Sequence, residues 1–193
     1  MRAAELLASV RIPSPAARLR AFPHQLSGGM RQRVVGAMAI AGPPRLLIAD
    51  EPTTSLDLTI QAQYLGLLKE LQQRYRFAMI FVTHNLGIVA RTCDRVAVMY
   101  AGRIVETGPV RQIFTSPAHP YTQALLASIP RFGARRESLT AIAGQPPDLA
   151  KLAAGCAFAP RCPQAIERCT VDAPPETSVS TGHATRCWLH GHA

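Results

Sequence analysis

A serine and two glycines stand where a helix is predicted to begin. Ser27, Gly28 and Gly29 directly precede a segment whose apolar residues recur at helical spacing. A helix N-terminus offers unpaired N–H groups and the positive end of the helix dipole, and glycine lets an anion approach the backbone closely. The stretch is therefore a candidate phosphate-contacting site. Taken alone, it is also typical of an ordinary turn with a serine N-cap.

Two carboxylates and a histidine follow apolar runs that are typical of buried parallel strands. Asp50 and Glu51 end the run that begins at residue 46, and His84 ends the run FAMIFVTH. In an open α/β sheet, ligands bind beyond the carboxyl ends of the strands. There Asp50 could serve Mg²⁺, Glu51 could polarise the water that attacks a γ-phosphate, and His84 could donate to a phosphate oxygen. Individually, solvated carboxylates and a histidine at the edge of the core would explain the same pattern.

The elements that must position these groups alternate between helix and strand. After a first helix and a proline-broken loop in residues 1–22, the pattern predicts a helix from near residue 30, a strand at 46–50 and a helix at 60–75. A strand at 77–84, a helix from near residue 85 and two short strands around residues 101–102 follow. We therefore predict an α/β fold in which helices flank a parallel sheet.

Four of the five cysteines lie in the last forty residues, namely Cys156, Cys162, Cys169 and Cys187, whereas Cys93 stands alone. An odd total without a recognisable signal peptide argues against a disulfide framework. Four thiolates can instead ligate zinc or a [4Fe–4S] cluster. Zinc sites usually use close C-x₂-C pairs, and the intervals of five, six and seventeen residues seen here disfavour a zinc ribbon. Four free thiols are the remaining interpretation.

Composition narrows the class of protein. A chain of 193 residues that is 48% hydrophobic can bury a core, and it has room for one domain with a small appendage. No apolar run approaches the ~20 residues that span a bilayer. The net charge of +9 raises nucleic acid or anionic lipid as partners. Because neither a spanning run nor a signal peptide is recognisable, we predict a protein that is cytosolic or peripheral to a membrane. Because the basic residues are scattered, we predict that it does not bind nucleic acid.

The ordered set LSGGM, LLIADEPTTSLD and FVTHN resembles the ATP-binding-cassette ATPases over roughly residues 1–130. The resemblance implies a partial phosphate-loop NTPase sheet, with ATP and Mg²⁺ as cofactors. It assigns the phosphate-contacting signature motif to Ser27, Gly28 and Gly29, which would act on a nucleotide bound by the opposing subunit.

The same resemblance assigns the chemical roles. Asp50 would serve Mg²⁺ from the Walker B strand, Glu51 would be the catalytic carboxylate and His84 the switch histidine. The loop that crosses the dimer interface would comprise Ser55, Leu56 and Asp57.

The stretches DRVAVMYAGRIVETGPV and SPAHPYTQALLASIPR resemble the ATPase subunits of bacterial dipeptide and oligopeptide importers. His119-Pro120-Tyr121 marks the C-terminal extension of that group. We therefore divide the chain into a nucleotide-binding portion, residues 1–116, and an extension, residues 117–193, with a linker over 131–151. Some of these ATPases carry an iron–sulfur site with this cysteine arrangement, so the resemblance implies a structural [4Fe–4S] cluster, with Zn²⁺ as the alternative.

The implied function is hydrolysis of ATP to energise import of peptides, or of nickel. The implied partners are a second ATPase subunit, identical or different, two membrane permease subunits and a solute-binding protein. They would meet at the cytoplasmic face of the bacterial inner membrane, where this chain would be peripheral.

One motif of the family is absent from the printed sequence. Phosphate-loop ATPases carry G-x-x-x-x-G-K-[ST], whereas the two lysines, Lys69 and Lys151, follow leucine and alanine. We expect a chain that begins partway through the domain, through truncation, a misassigned start codon or a split gene. We also expect it to bind ATP poorly by itself. The alternatives are an inactive remnant and a regulatory or structural iron–sulfur protein.

Overall fold

The computed structural model describes residues 2–129 and 141–190. They fall into two compact units, residues 1–85 and residues 86–193. Helices and strands alternate along the first and into the second, which confirms the predicted α/β class.

In the first unit, parallel strands alternate with helices. Its elements are α1 (Arg2–Ser9), α2 (Pro15–Arg18), a 3₁₀ turn (Pro23–Gln25), α3 (Gly28–Ile40), β1 (Leu46–Asp50), α4 (Leu58–Tyr75) and β2 (Ala78–Val82). Strands β1 and β2 pair in parallel, with Leu46 opposite Ala78 and Asp50 opposite Val82. A parallel pair needs a crossover connection, and α4 supplies it. The carboxyl ends of both strands consequently lie at one edge of the sheet.

The core of the first unit forms where α1, α3 and α4 meet one face of this sheet. Its buried residues are Leu7, Val10, Ile12, Ala37, Ile40, Tyr64, Leu67, Leu68, Leu71 and Phe77. Leu47, Met79 and Phe81 pack against it from the strands. The expectation of strands buried on both faces is wrong for the described residues, because Ile48 is 64% exposed and Ile80 50% exposed. The helices cover only the opposite face of the sheet, which carries Leu47, Met79 and Phe81.

The second unit contains an antiparallel sheet. Its helices are α5 (Leu86–Thr92), α6 (Val110–Thr115), α7 (Pro120–Ala127) and α8 (Arg168–Val171). Its strands are β3 (Arg95–Tyr100), β4 (Arg103–Pro109), β5 (Thr177–Ser180) and β6 (His183–Thr185), in the sheet order β3-β4-β6-β5. The predicted strand pair around residues 101–102 is the β3–β4 hairpin, which turns through positive φ at Ala101 and Gly102. The chain thus returns, more than seventy residues later, to pair β6 with β4.

An aromatic cluster centres the core of the second unit. Phe158 is 1% exposed and contacts the rings of Tyr100 and Tyr121, with centroids 5.3 and 5.4 Å from its own. Val98, Val105 and Ile113 complete the buried set. The segment around the first two clustered cysteines is therefore packed onto the β3–β4 hairpin.

The predicted boundaries differ slightly from those observed. Helix α3 begins at Gly28, because Ser27 caps it, and β2 ends at Val82, so that His84 lies in the loop beyond the strand. Of the predicted linker, residues 131–140 lie outside the described residues, and Leu149–Lys151 forms a 3₁₀ turn. Within the described ranges, no helix has the length and apolar character that would let it cross a bilayer.

Candidate functional site

The residues predicted to contact phosphate line an open pocket in the first unit. Ser27 caps α3, with its hydroxyl oxygen accepting from Met30 N at 3.3 Å. Gly28 and Gly29 form the first turn, at which backbone N–H groups are unpaired in any helix. The segment that begins α4 forms the opposite wall, and its lining residues are Ser55, Leu56, Asp57 and Ile60.

Two arginines that the sequence interpretation missed line the same pocket, Arg11 and Arg33. Arg33 donates to the carbonyl oxygens of Val10 and Arg11, both at 3.2 Å, and Arg11 binds the carboxylate of Glu70. The bonds of Arg33 are to neutral carbonyl groups, so its positive charge stays uncompensated beside a helix N-terminus, a combination that suits an anion, whereas Glu70 compensates the charge of Arg11. The arginines stand 16 residues before Ser27 and six after it, so only the fold reveals their association.

Asp57 is the N-cap residue of α4. Its Oδ1 accepts from Thr59 N at 3.1 Å and Ile60 N at 3.0 Å, which caps α4. A capping aspartate typically contributes about 1 kcal/mol to helix stability. Asp57 therefore positions the pocket wall.

The strand edge brings two of the predicted catalytic groups together. His84 Nδ1 lies 2.6 Å from Glu51 Oε1. The hydroxyl of Thr54 donates to the other carboxylate oxygen, Oε2, and lies 3.2 Å from the Glu51 carbonyl oxygen. Glu51 itself has a positive φ of 44°, and its N–H donates to Val82 O at 2.9 Å. Both carboxylate oxygens of Glu51 thus have a partner, Thr54 from the following turn and His84 from the end of the neighbouring strand.

These contacts set the electrostatics of Glu51. The hydroxyl of Thr54, followed by the ring of His84, holds the pKa of the Glu51 carboxyl below its ordinary value. A carboxylate that stays ionised and accessible can accept a proton from water or orient it for attack. Asp50 ends β1 beside it and is exposed, so its oxygens are open to a cation. Asp50, Glu51 and His84 do not line the pocket at Ser27.

The four clustered cysteines line one small cavity in the second unit. All four thiols are free, and burial raises the pKa of Cys156, Cys162 and Cys187. His119, Pro120 and Trp188 share the lining. The backbone brings two of the cysteines together, because Cys156 N donates to Cys169 O at 2.8 Å.

The convergence of four thiols suits a thiophilic metal by donor chemistry. Among residues 2–129 and 141–190, however, no group of three or more His, Cys, Asp or Glu is placed to hold a metal ion. The predicted iron–sulfur or zinc ligands are therefore neighbours around a cavity, without the geometry of a coordination shell.

Comparison with known proteins decides the family. Residues 1–54 match the family model described as ABC transporter, and residues 105–169 match the oligopeptide/dipeptide transporter C-terminal region. A putative peptide import ATP-binding protein of Brucella melitensis is 55% identical over 191 residues, which cover 96% of this chain and 56% of that protein. This chain belongs to the ATP-binding-cassette family, in its dipeptide/oligopeptide transporter group.

Other members of the ATP-binding-cassette family also match nearly all of this chain with about half of their own length. The oligopeptide transport ATP-binding protein of Bacillus subtilis is 56% identical, with 97% of this chain and 53% of that protein covered. The dipeptide transport ATP-binding protein of Escherichia coli is 50% identical over 96% of this chain and 57% of that protein. A solved dimer of the ATP-binding cassette MJ0796 with ADP and Pi aligns with a TM-score of 0.49 at 31% identity, over 57% of this chain and 46% of that chain. The chain thus spans about half the length of the curated relatives it matches.

Proposed function

We propose that this chain is part of an ATPase subunit that hydrolyses ATP to drive import of peptides. One observation carries the proposal: Glu51 is held between Thr54 and His84 at the carboxyl edge of a parallel sheet. Held there, Glu51 would orient the attacking water, and Asp50 would serve the Mg²⁺ that neutralises charge on the transferred phosphoryl group. His84 would exchange its bond to Glu51 for one to a γ-phosphate oxygen.

The pocket at Ser27 would take part in a site shared between subunits. Its helix N-terminus and the charge of Arg33 favour a phosphate brought by another ATPase subunit, identical or different. Two membrane permease subunits and a solute-binding protein would complete the importer, with this chain peripheral at the cytoplasmic face of the inner membrane. We assign residues 1–116 to nucleotide handling and residues 117–193 to the transporter extension. Dipeptides and oligopeptides are the proposed cargo, and nickel is the alternative.

These 193 residues by themselves are proposed to bind ATP poorly. In this family the backbone amides and lysine of a G-x-x-x-x-G-K-[ST] loop cradle the phosphates, and the printed sequence contains no Gly-Lys pair. The groups around Glu51 would therefore act on a nucleotide whose phosphates are held by residues outside this sequence.

A chimera tests the proposal. The segment of the Bacillus subtilis relative that precedes its match to this chain would be joined to residues 1–193. We expect the chimera to hydrolyse ATP, and Glu51→Gln to lower kcat by about 10²-fold or more while ATP binding persists. Glu5→Gln, a change at an exposed carboxylate in α1 that does not line the pocket at Ser27, is the control and should leave kcat near that of the parent.

Calorimetry on the 193-residue chain tests its proposed poor binding of ATP separately from the proposed hydrolysis of ATP by the chimera. Micromolar binding of Mg-ATP to the chain alone would contradict the claim that it binds poorly. A folded chimera that binds ATP and does not turn it over would overturn the enzymatic proposal in favour of an inactive remnant.

We further propose that the cysteine cavity holds a [4Fe–4S] cluster, with Zn²⁺ as the alternative. Support comes from the four free thiols that face one cavity and from the resemblance of their spacing to that of importer ATPases. A bound cluster would cross-link the segment that contains Cys156, Cys162 and Cys169 to the segment that contains Cys187. Anaerobic reconstitution with iron and sulfide, followed by metal analysis and EPR of the reduced protein, tests this. Cys187→Ser should abolish cluster uptake and Cys93→Ser should leave it unchanged; equal uptake by the two variants would refute the site.

A further inference from the structure

Glu106 is a carboxylate buried in the middle of a sheet. It lies in β4, and its side chain has 0% exposure. Burying a carboxylate costs several kcal/mol unless charge-assisted hydrogen bonds replace its hydration. The hydrogen-bond partners of the Glu106 carboxylate therefore show which segments of the chain it holds in place.

Three N–H groups converge on its two oxygens. Ala118 N donates to Oε1 at 2.7 Å, and His119 N donates to Oε2 at 3.0 Å. His183 Nε2 lies 2.7 Å from Oε1 and carries the hydrogen, because a carboxylate only accepts. Glu106 therefore joins its own strand to two segments that are 12 and 77 residues away in sequence.

Both of these segments run directly into the cysteine cavity. The first continues as His119 and Pro120, which line it. The second is β6, which starts at His183 and leads to Cys187, Trp188 and Leu189, also in the lining. The two segments bind each other as well, since His190 Nε2 lies 3.0 Å from Ala118 O.

Gly108 leaves room beside β4 for the His183 ring. A Cβ at Gly108 would lie 3.1 Å from His183 Cδ2 and 3.2 Å from Ile113 Cδ1. Contacts this short are unfavourable, so a side chain at position 108 would displace the ring or the helix beneath it. The absence of a side chain at Gly108 thus lets His183 lie across β4 and reach Glu106.

We propose that Glu106 is a positioning residue that assembles the cysteine cavity, by holding the His119 segment and the Cys187 segment against each other. The proposal requires no bound metal and no ATPase activity. It predicts that the location of Cys187 depends on the carboxylate, beyond what the backbone pairing of β4 with β6 provides.

Alkylation rates of individual cysteines test this on the whole 193-residue chain, kept reduced and metal-free with a chelator. In Glu106→Gln, an NH₂ group replaces one oxygen, so at least one of the three N–H groups loses its acceptor. We expect iodoacetamide to modify Cys187 at least about tenfold faster relative to Cys93, the ratio that corresponds to losing one hydrogen bond to a charged group. Mass spectrometry of proteolytic fragments gives the rate at each thiol.

Two variants of His183 distinguish the effect of its hydrogen bond to Glu106 from the effect of its packing. His183→Gln retains an N–H that can reach Glu106 and should stay near the wild-type ratio, whereas His183→Leu should behave like Glu106→Gln. Thr185→Val is the matched control, because Thr185 lies opposite Glu106 in the strand pairing, and its loss removes a buried hydrogen bond from β6 to Val105 O but none of the three bonds to the carboxylate. Its Cys187 to Cys93 ratio should change less than that of Glu106→Gln.

The proposal is overturned if Glu106→Gln raises the ratio no more than Thr185→Val does, or if His183→Gln and His183→Leu are indistinguishable. Should Glu106→Gln unfold the unit, so that Cys93 and Cys187 accelerate together, the two histidine variants decide the question. A difference between them supports positioning, and its absence refutes it.

Discussion

Glu51 and His84, 33 residues apart, are joined by a contact of 2.6 Å between carboxylate and imidazole. The parallel register of β1 and β2 sets this contact, because Asp50 pairs with Val82 and both loops leave the sheet at the same edge. Thr54 binds the second carboxylate oxygen, so the carboxylate has a defined orientation before any nucleotide is bound.

The first prediction concerns this arrangement. Thr54→Val should raise the pKa of Glu51, because it removes the hydrogen bond that contributes most to lowering it. Thr54→Ser retains the hydroxyl and should restore the low pKa. His84→Ala should also raise the pKa, because it removes the second hydrogen bond to the carboxylate and the electrostatic attraction of the ring.

NMR titration of ¹³C-labelled glutamate in the 193-residue chain measures these changes, with the wild-type chain as the reference. A Glu51 carboxyl that titrates identically in wild type and in Thr54→Val would show that the hydroxyl does not bind it in solution.

The placement of Asp50, Glu51 and His84 at one edge of the sheet was predictable from sequence, whereas the contacts that support Glu51 were not. Apolar runs that end in Asp50, Glu51 and His84 predict a shared sheet edge, because strand polarity alone fixes it. Thr54 gives no such signal, since its bond depends on the positive φ of Glu51. Similarly, a continuous apolar run indicates a strand but does not report which face is covered, so the exposure of Ile48 and Ile80 was missed.

In the second unit, the clustering of cysteines in sequence predicted their association in space. Glu106 was invisible to the same reasoning, because an acidic residue in a short strand normally faces water. Val105 and Glu106 are both buried, against the alternation of a one-sided sheet, because the His183 ring and the loop before α7 cover the second face. Those partners lie too far away in sequence for a local pattern to reveal them.

A second prediction concerns the backbone beneath the cysteine cavity. A Cβ at Gly155 would lie 2.2 Å from Cys169 O and 2.7 Å from Thr170 C, both backbone atoms that cannot rotate away. Gly155→Ala should therefore separate Cys156 from Cys169 and lower the free energy of unfolding by about 1–3 kcal/mol or more.

The matched control is Gly66→Ala on the exposed side of α4, where a Cβ meets nothing within 4 Å. It should raise the free energy of unfolding by up to about 1 kcal/mol, because alanine is the better helix former. Urea denaturation of the two variants measures both effects, and a neutral Gly155→Ala would contradict the close approach.

A third prediction concerns the aromatic core. Phe158 is 1% exposed and packs against Tyr100, Tyr121 and His119. Phe158→Ala should lower the free energy of unfolding by about 3–5 kcal/mol, through lost burial and the cavity left behind. Phe158→Leu should cost less, since it refills most of the volume. If calorimetry found both substitutions equally mild, Phe158 would not be a core residue.

The last prediction is a pH dependence that originates at His119. Burial lowers the pKa of His119 from 6.5 to about 4, Glu106 opposes this shift, and His190 adds to it. The folded protein therefore keeps His119 neutral in a range where the unfolded chain binds a proton. The stability that this residue contributes is complete above pH 6.5 and is lost as the pH falls towards 4, by about 3 kcal/mol at most.

His119→Asn isolates this effect, because the amide oxygen can still accept from Tyr121 N, as His119 Nδ1 does at 3.0 Å, and asparagine does not titrate. Between pH 7 and pH 5, the melting temperature of the reduced, metal-free chain should fall less in His119→Asn than in wild type. His24→Asn, at an exposed histidine, should retain the wild-type fall. Parallel pH profiles for wild type and His119→Asn would mean that another group accounts for the loss of stability in acid, and that His119 is not buried as a neutral ring.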